Sequence, residues 1–244
     1  MAPAAFVDLW VKAGSDGIRL GGDPVCQQIF MAMILKSESD DGLKFNVKTV
    51  NPAKPPPEFK DADLRHAPAI QHDDVSIEHP DDIIEYIDKT FPYPSLKYSD
   101  TEADGATADL FSKFCFYIKE VNKDSKGLEQ ELHRIDQFLE GTEHKYLAGD
   151  RPTHLDCRML PKLHAIRVAC AALKDFTIPD HMKHLWSYLK RAYALDAFKK
   201  SCPSDQEIIL YWADRPDTPN LSSNKRAQLY RQNTEYSLTV PDGI

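Results

Sequence analysis

Apolar and polar positions along this chain follow two regimes, and the change between them falls near Phe91. Before it, short apolar runs alternate with turn residues. After it, apolar positions recur every three or four residues, the helical period. Phe6–Lys12 is mostly apolar and reads as a strand buried within a sheet. Lys44–Val50 alternates polar and apolar, a strand with one wet face, and Val75–Ile77 forms a short third candidate. Between the first two strands, Gly21-Gly22-Asp23-Pro24 opens a helix. The glycines permit a tight turn, Asp23 is a preferred N-cap, and Pro24 takes the first helical position, where its missing N–H costs nothing. Ile29, Phe30, Met33 and Ile34 follow at helical spacing, so Pro24–Lys36 reads as a buried amphipathic helix. Ser37–Gly42 ends it, and Asn51–Pro57 is a loop because its three consecutive prolines cannot donate to a sheet. Pro80–Lys89 is a helix with Ile83, Ile84 and Ile87 on one side.

Phe91-Pro92-Tyr93-Pro94-Ser95 reads as a linker. Beyond it the periodicity predicts helices over Ala106–Val121, Leu128–Leu139, Leu155–Leu173, His181–Phe198 and Ser204–Trp212. Thr153-His154-Leu155-Asp156 is a capping box, and Pro161 is expected to bend the helix it opens. Asp214–Ile244 is polar, carries three prolines and little periodicity, and reads as a flexible tail or one laid over the surface.

At 244 residues the chain holds one large domain or two ordinary ones. A charged fraction of 28% with a net charge of −8 is a soluble, moderately acidic profile that argues against nucleic acid as a partner. Met1–Ala5 lacks the basic region and apolar run of a secretory signal, and no Cys-x-x-Cys pair occurs, so a cytoplasmic location is expected. Cys115, Cys157 and Cys170 lie among apolar residues and are expected in the core. His181-x-x-His184 places two imidazoles on one expected helix face with no third ligand, so no metal is expected. Lys183, Lys190, Arg191, Lys199 and Lys200 read as a solvated basic face. No Ser-His-Asp signature or phosphate-cradling glycine loop is present.

The chemistry concentrates at the turn before Pro24. A strand, a turn and a cysteine in the first turn of a helix is how thioredoxin-like proteins present a reactive thiol, because the helix start favours an anion. Cys26 lies in that first turn, but Asp23 stands where such a helix normally begins with the nucleophilic cysteine. A carboxylate cannot attack a disulfide, and its charge opposes ionisation of Cys26. No catalytic residue is therefore assigned, with Cys26 the one candidate. In a thioredoxin-like chain the proline of Ala67-Pro68 follows a cis bond and turns the preceding backbone toward the helix start, whereas an ordinary trans loop proline would not. Asp23, Cys26, Ala67 and Pro68 are the expected ligand pocket. The apolar run from Pro24 is about a dozen residues, short of the roughly 20 that span a bilayer, and extension to Val50 would bury Glu38, Asp40, Asp41 and Lys44. The residues alone predict no transmembrane segment.

Several stretches resemble one family. Val11-Lys12-Ala13-Gly14-Ser15-Asp16-Gly17, Gln27-x-x-Phe30-Met31 and Phe45-Asn46-Val47-x-Thr49-Val50 are similar to the amino-terminal half of the chloride intracellular channels (CLICs). Leu160-Pro161-Lys162-Leu163-His164, Phe176-Thr177-Ile178-Pro179, Tyr188-Leu189-x-x-Ala192-Tyr193 and Ser201-Cys202-Pro203 are similar to their carboxy-terminal half. The resemblance implies a glutathione-transferase-like fold, α/β plus all-α. A thioredoxin-like N-terminal domain is expected at 5–91, a linker at 92–98, an all-helical domain at 99–213 and the tail at 214–244.

The resemblance further implies a soluble form that associates with or enters membranes and conducts chloride, with lipids as partners and a homo-oligomer in the membrane. The segment it assigns to membrane entry runs from Pro24 to about Val47 and includes Cys26, Phe30, Met31 and Lys36. Asp23 in place of the redox cysteine resembles the invertebrate branch. His79-Pro80 departs from the acidic or amide-bearing turn of relatives, and both departures argue against glutathione, so no cofactor is expected. Two other readings stand beside the channel: a catalytically silent scaffold binding protein partners through the helical domain or tail, and a weak glutathione-dependent oxidoreductase using Cys26.

Overall fold

The computed structural model describes residues 6–39 and 42–244, so the expected boundary at Ala5, Met1–Ala5, and Asp40 and Asp41 of the acidic turn lie outside the described residues. The first half runs β1 (Val7–Lys12), α1 (Pro24–Lys36), β2 (Phe45–Val50), α2 (Pro57–Asp61), β3 (Ala69–His72), β4 (Val75–Ile77) and α3 (Pro80–Thr90). The sheet order is β2-β1-β3-β4. β1 pairs parallel with β2, antiparallel with β3, and β3 pairs antiparallel with β4. This is the thioredoxin-like half the strand pattern predicts.

Because β1 is central, both of its faces are covered, and strand alternation sorts its residues between them. Val7, Leu9 and Val11 pack with Ile29, Met33, Ile83 and Ile87 on one side of the sheet. Trp10 points to the other side and meets Phe59 edge-on at 5.3 Å.

The expectation of an amphipathic α1 is corrected. Pro24, Cys26, Ile29 and Met33 are buried, but so are Gln27, Gln28, Met31, Ala32, Leu35 and Lys36. Ile29 and Met33 belong to the sheet-side core, whereas Met31, Ala32 and Leu35 join the core of the second half. The face that local periodicity leaves for water is covered by two helices of the other domain, α7 (His154–Lys174) and α9 (Asp196–Ser201).

The second half also contains α4 (Thr101–Thr107), α5 (Leu110–Tyr117), α6 (Lys126–Gly141), α8 (Lys183–Ala194), α10 (Asp205–Ala213) and α11 (Ser223–Arg231). Two expected long helices are broken. The stretch read as Ala106–Val121 divides into α4, capped by Asp100 through the Glu102 and Ala103 N–H groups, and α5. His181–Phe198 divides at Leu195, whose extended backbone (φ −76°, ψ 125°) separates α8 from α9. His181 precedes α8, so His181 and His184 do not share a helix, and among the described residues no metal-holding cluster of His, Cys, Asp and Glu occurs.

α7 is the axis of the helical half. Leu155, Leu160, Leu163, Ile166 and Ala169 are fully buried along it, and Pro161 lies within a helix that continues to Lys174. Its capping box forms: Thr153 gives both its N–H and its hydroxyl to Asp156 Oδ2 at 2.8 Å. Asp156 Oδ1 accepts from the Leu147 N–H at 3.0 Å and the Tyr188 hydroxyl at 2.8 Å, so a fully buried carboxyl has every lone pair directed at a donor. The basic face is solvated, with Lys183, Lys190, Lys199 and Lys200 exposed. Lys199 and Lys200 share Asp196, and Lys190 donates to the Ile244 carbonyl. Beyond α10, α11 buries none of its side chains, and the chain then lies across the helical domain.

Candidate functional site

Asp23 closes the start of α1. Its Oδ1 accepts the Val25 N–H at 2.9 Å and its Oδ2 pairs with Lys12 Nζ at the end of β1. The anion-favouring helix end is thus occupied by the chain's own carboxylate, and that carboxylate is neutralised by the chain's own lysine. The turn before it is held from the other domain. A Cβ on Gly22 would lie 2.5 Å from the Glu207 carbonyl oxygen, an approach only glycine allows. Glu207, in the first turn of α10, accepts from the Ser15 N–H at 2.7 Å and the Ser15 hydroxyl at 2.8 Å.

Ala67-Pro68 is joined by a cis peptide bond, and Glu78 steadies the loop by accepting the Arg65 and His66 N–H groups at 2.7 Å each. Pro24, Asp23, Ala67 and Pro68 form one wall of an interdomain cavity of about 500 Å³. The opposite wall comes from the helical domain: Phe111 and Cys115 of α5, Tyr211 and Trp212 of α10, and Arg215 just beyond it. Phe114 and Trp212 stack edge-on at 4.6 Å, which fixes the indole against α5. The Arg215 guanidinium lies 4.2 Å over the Tyr211 ring, and among the described residues no carboxylate reaches it within ion-pair distance.

Cys26 does not join this cavity. It is 3% exposed, packs in the sheet-side core, and its sulfur accepts the Lys12 N–H at 3.4 Å. Burial pushes its thiol well above the ordinary range, and the nearby Asp23 charge pushes it further. A thiol held neutral is a poor nucleophile. Cys157 and Cys170 are buried as expected, but Cys115 is half-buried and lines the cavity, a correction to its expected place in the core. Lys12, Phe111, Cys115, Tyr211, Trp212 and Arg215 were not among the expected pocket residues. Of these, only Lys12 carries a local signal, a lone cation ending an apolar strand.

The remaining residues of the segment expected to enter membranes are distributed through the fold. Phe30 is half-buried and meets Phe45 at 6.1 Å, Met31 is buried against the helical domain, and Val47 is exposed on β2. Lys36 is 1% exposed, and its Nζ lies 2.6 Å from Asp88 and 3.0 Å from the Phe91 carbonyl. His154 Nε2–H donates to the other Asp88 oxygen at 3.0 Å, which joins α1, α3 and α7. Burial alone would raise the Asp88 carboxyl, but Lys36 and His154 together hold it below the usual range. Burial lowers His154 despite the carboxylate beside it. Among the described residues no helix is long and apolar enough to cross a membrane.

A thioredoxin-like half whose cis-proline loop faces the start of α1 across a cavity walled by an all-helical half is the architecture of glutathione-transferase-like proteins. A dehydroascorbate reductase of Chlamydomonas reinhardtii shares this fold at a TM-score of 0.74 and 22% identity, covering 86% of this chain and 98% of that one. The EXC-4 CLIC homologue of Caenorhabditis elegans superposes at a TM-score of 0.86 with 26% identity, over 98% of this chain and 95% of that one. Residues 5–94 match the family model of the CLIC-like N-terminal domain. The C. elegans protein called chloride intracellular channel exl-1 is 39% identical over 236 residues, 95% of this chain and 98% of its own length. The chain therefore belongs to the chloride intracellular channel family.

Proposed function

We propose that this protein acts as a chloride intracellular channel-like factor: a cytoplasmic form that associates with or inserts into membranes and conducts chloride, with lipid and chloride as partners and a homo-oligomer in the bilayer. Family membership over nearly the whole chain supports the reading. The observation that separates it from thiol chemistry is the Asp23–Lys12 pair at the helix start, where a glutathione-linked enzyme needs a thiolate. The reading requires no cofactor.

Membrane entry by the 24–47 segment requires α1 to leave a position in which both its faces are buried. The contacts to be surrendered are named: the Lys36–Asp88 pair and the packing of Met31, Ala32 and Leu35 on the helical domain. Detachment of the two domains is the step at which insertion is controlled in this reading.

The test is chloride efflux from anionic-lipid vesicles for wild type and Asp23→Cys, with a glutathione-linked reductase assay on the same two proteins. Efflux from both, with reductase activity confined to the variant, is the expected outcome. Absence of efflux and of vesicle binding from both overturns the channel.

A second reading, a catalytically silent scaffold that binds protein partners through the helical domain or tail, is favoured by one observation. Residues 232–244 are seated on the helical domain by hydrogen bonds donated by Gln206 and Arg167 and accepted by the Asp205 carboxylate. Retained cellular function in a protein without efflux would select it.

A further inference from the structure

The helical domain holds the last stretch of the chain almost wholly through its backbone. The Asn233 carbonyl accepts from Gln206 Nε2 at 2.6 Å, and Gln206 Oε1 accepts the Glu235 N–H at 3.2 Å. The Glu235 carbonyl accepts the Asp205 N–H at 2.9 Å, at the start of α10. Ser237 gives its N–H to Asp205 Oδ1 at 3.0 Å, and its carbonyl accepts from Arg167 Nη1 at 2.7 Å. Two side chains of the segment are also bound: the Ser237 hydroxyl donates to Asp205 Oδ2 at 2.6 Å, and the Thr234 hydroxyl oxygen accepts from Arg19 Nη1, in the N-terminal half, at 3.2 Å. Leu238 and Val240 then pack on the helical core. Alternating main-chain donors and acceptors along an extended segment are how a sheet edge recognises a peptide. Here side chains of α7 and α10, with the Asp205 N–H, supply the same alternation.

Two features make this occupant replaceable. α11, which connects it to the domain, buries no side chain, so the segment is tethered rather than anchored through that helix. The segment also leaves its groove partly empty. A cavity of about 660 Å³ lies between it and the domain, walled by Arg167, Ala171, Ile178 and Trp186 on one side and by Thr239 and Val240 of the segment on the other. The Arg167 guanidinium sits 5.1 Å from the Trp186 ring, so one wall pairs a cation with an aromatic ring, while Asp180 and Asp205 also line the cavity.

We propose that the groove between α7, α8 and α10 is a docking site for an extended peptide of a partner protein, for which residues 233–240 are the resident substitute. The partner places a small hydroxyl residue against Asp205 and a bulky aromatic side chain where this chain has Thr239 or Val240. The tether gives the resident segment an effective concentration on the order of millimolar, and burial of the larger side chain in the cavity is what lets a partner outcompete it. The inference rests on these contacts and not on conduction, so peptide binding and vesicle efflux fail independently.

The experiment titrates fluorescein-labelled peptides against the full chain by anisotropy. One peptide has the sequence of residues 232–244, a second carries Val240→Phe, and a third is a scramble of the second. The proteins are the wild type, a displaced variant with Ser237→Glu and Leu238→Asp, and the displaced variant with Arg167→Ala added. Ser237→Glu sets a carboxylate against Asp205, and Leu238→Asp removes an apolar contact. The displaced variant is expected to bind the Val240→Phe peptide about ten-fold tighter than the parent peptide, the wild type to bind both more weakly, and Arg167→Ala to lose most of the binding. Equal binding of the scramble, indifference to Arg167→Ala, or no binding to either protein overturns the proposal. Dimers of the displaced variant that no peptide dissociates also overturn it, because the groove then serves a second copy. Should the substitutions unfold the chain, wild type titrated to about millimolar Val240→Phe peptide must become cleavable by trypsin after Arg231 as the tail is displaced; a cut no faster than in free protein overturns the proposal as well.

Discussion

Lys36, the last residue of α1, lies 2.6 Å from Asp88 of α3, and the two side chains are 1% and 7% exposed. Both charges are nearly cut off from water, and among the described residues each is the other's only oppositely charged partner apart from His154, which also donates to Asp88. Removing one partner of a buried pair leaves an uncompensated charge and costs about 3–5 kcal/mol. Lys36→Met is therefore expected to lower the unfolding free energy by that amount, read as a lower urea midpoint. Lys36→Met with Asp88→Leu is expected to recover part of it, because both buried charges are gone, although the His154 Nε2–H then loses its acceptor. A urea double-mutant cycle measures the coupling, and additive effects would contradict a paired arrangement.

The same junction and a second histidine set the response to acid. His154 and His164 are both held below the ordinary imidazole range, chiefly by burial, and His164 falls to about 3. A depressed imidazole is unprotonated in the folded protein while the unfolded chain binds its proton, so its stabilising contribution is complete above the unfolded value of about 6.5 and declines as pH falls from there toward the folded value. The loss is about 1.4 kcal/mol per histidine per pH unit within that window. Asp88, also depressed, adds its loss only below about 3.9. Urea midpoints between pH 7 and 4 are expected to fall steadily. His164→Gln is expected to flatten the slope, at some cost at neutral pH because the Tyr193 hydroxyl sits 3.1 Å from Nδ1.

Thiol reactivity is the third expectation. Cys26, Cys157, Cys170 and Cys202 are buried, and all four thiols are pushed up, chiefly by burial. Cys115 is half-buried on the cavity wall, also with a raised thiol. Native protein treated with a small alkylating reagent is expected to label slowly and first at Cys115. Peptide mapping that finds Cys26 labelled as fast would restore the oxidoreductase reading.

What the sequence carried and what it did not divide along physical lines. The helix start at Asp23-Pro24 and the capping box of Thr153 and Asp156 are local, so nearby residues announce them, whereas the cis Ala67-Pro68 bond follows from the thioredoxin-like pattern and not from its neighbours. The second wall of the cavity is not. Phe111 and Trp212 sit at apolar positions whose period is the same whether a side chain faces a core or a cavity. Lys36 reads locally as a cation near a helix end, and its partner Asp88 lies on another helix far along the chain. The breaks before Leu110 and at Leu195 are likewise invisible to periodicity, because apolar spacing continues across them. The segment at 233–240 leaves only a faint side-chain pattern, since most of the hydrogen bonds that fix it use backbone amides common to every residue, with Ser237, Leu238 and Val240 adding isolated contacts.

The fourth prediction concerns Glu207, which ties the two domains at the candidate site. Its carboxylate, 8% exposed, takes both donors of Ser15, and its backbone forces glycine at position 22. Glu207→Gln keeps the shape but removes the charge, and because the Ser15 N–H and hydroxyl point at different carboxylate oxygens, an NH2 group replaces the acceptor that faces one of them. Hydrogen bonds to a charged acceptor are worth about 1.5–3 kcal/mol, so a loss within that range is expected. The loss must also be local. Amide exchange at Ser15 is expected to quicken in Glu207→Gln, whereas exchange in the core of α7 follows only the global change in stability. Faster exchange throughout α7 beyond that change would mean that Glu207 supports the helical domain itself. Faster exchange confined to the loop and the start of α1 would establish that the turn bearing Asp23 is held in place from across the domain boundary.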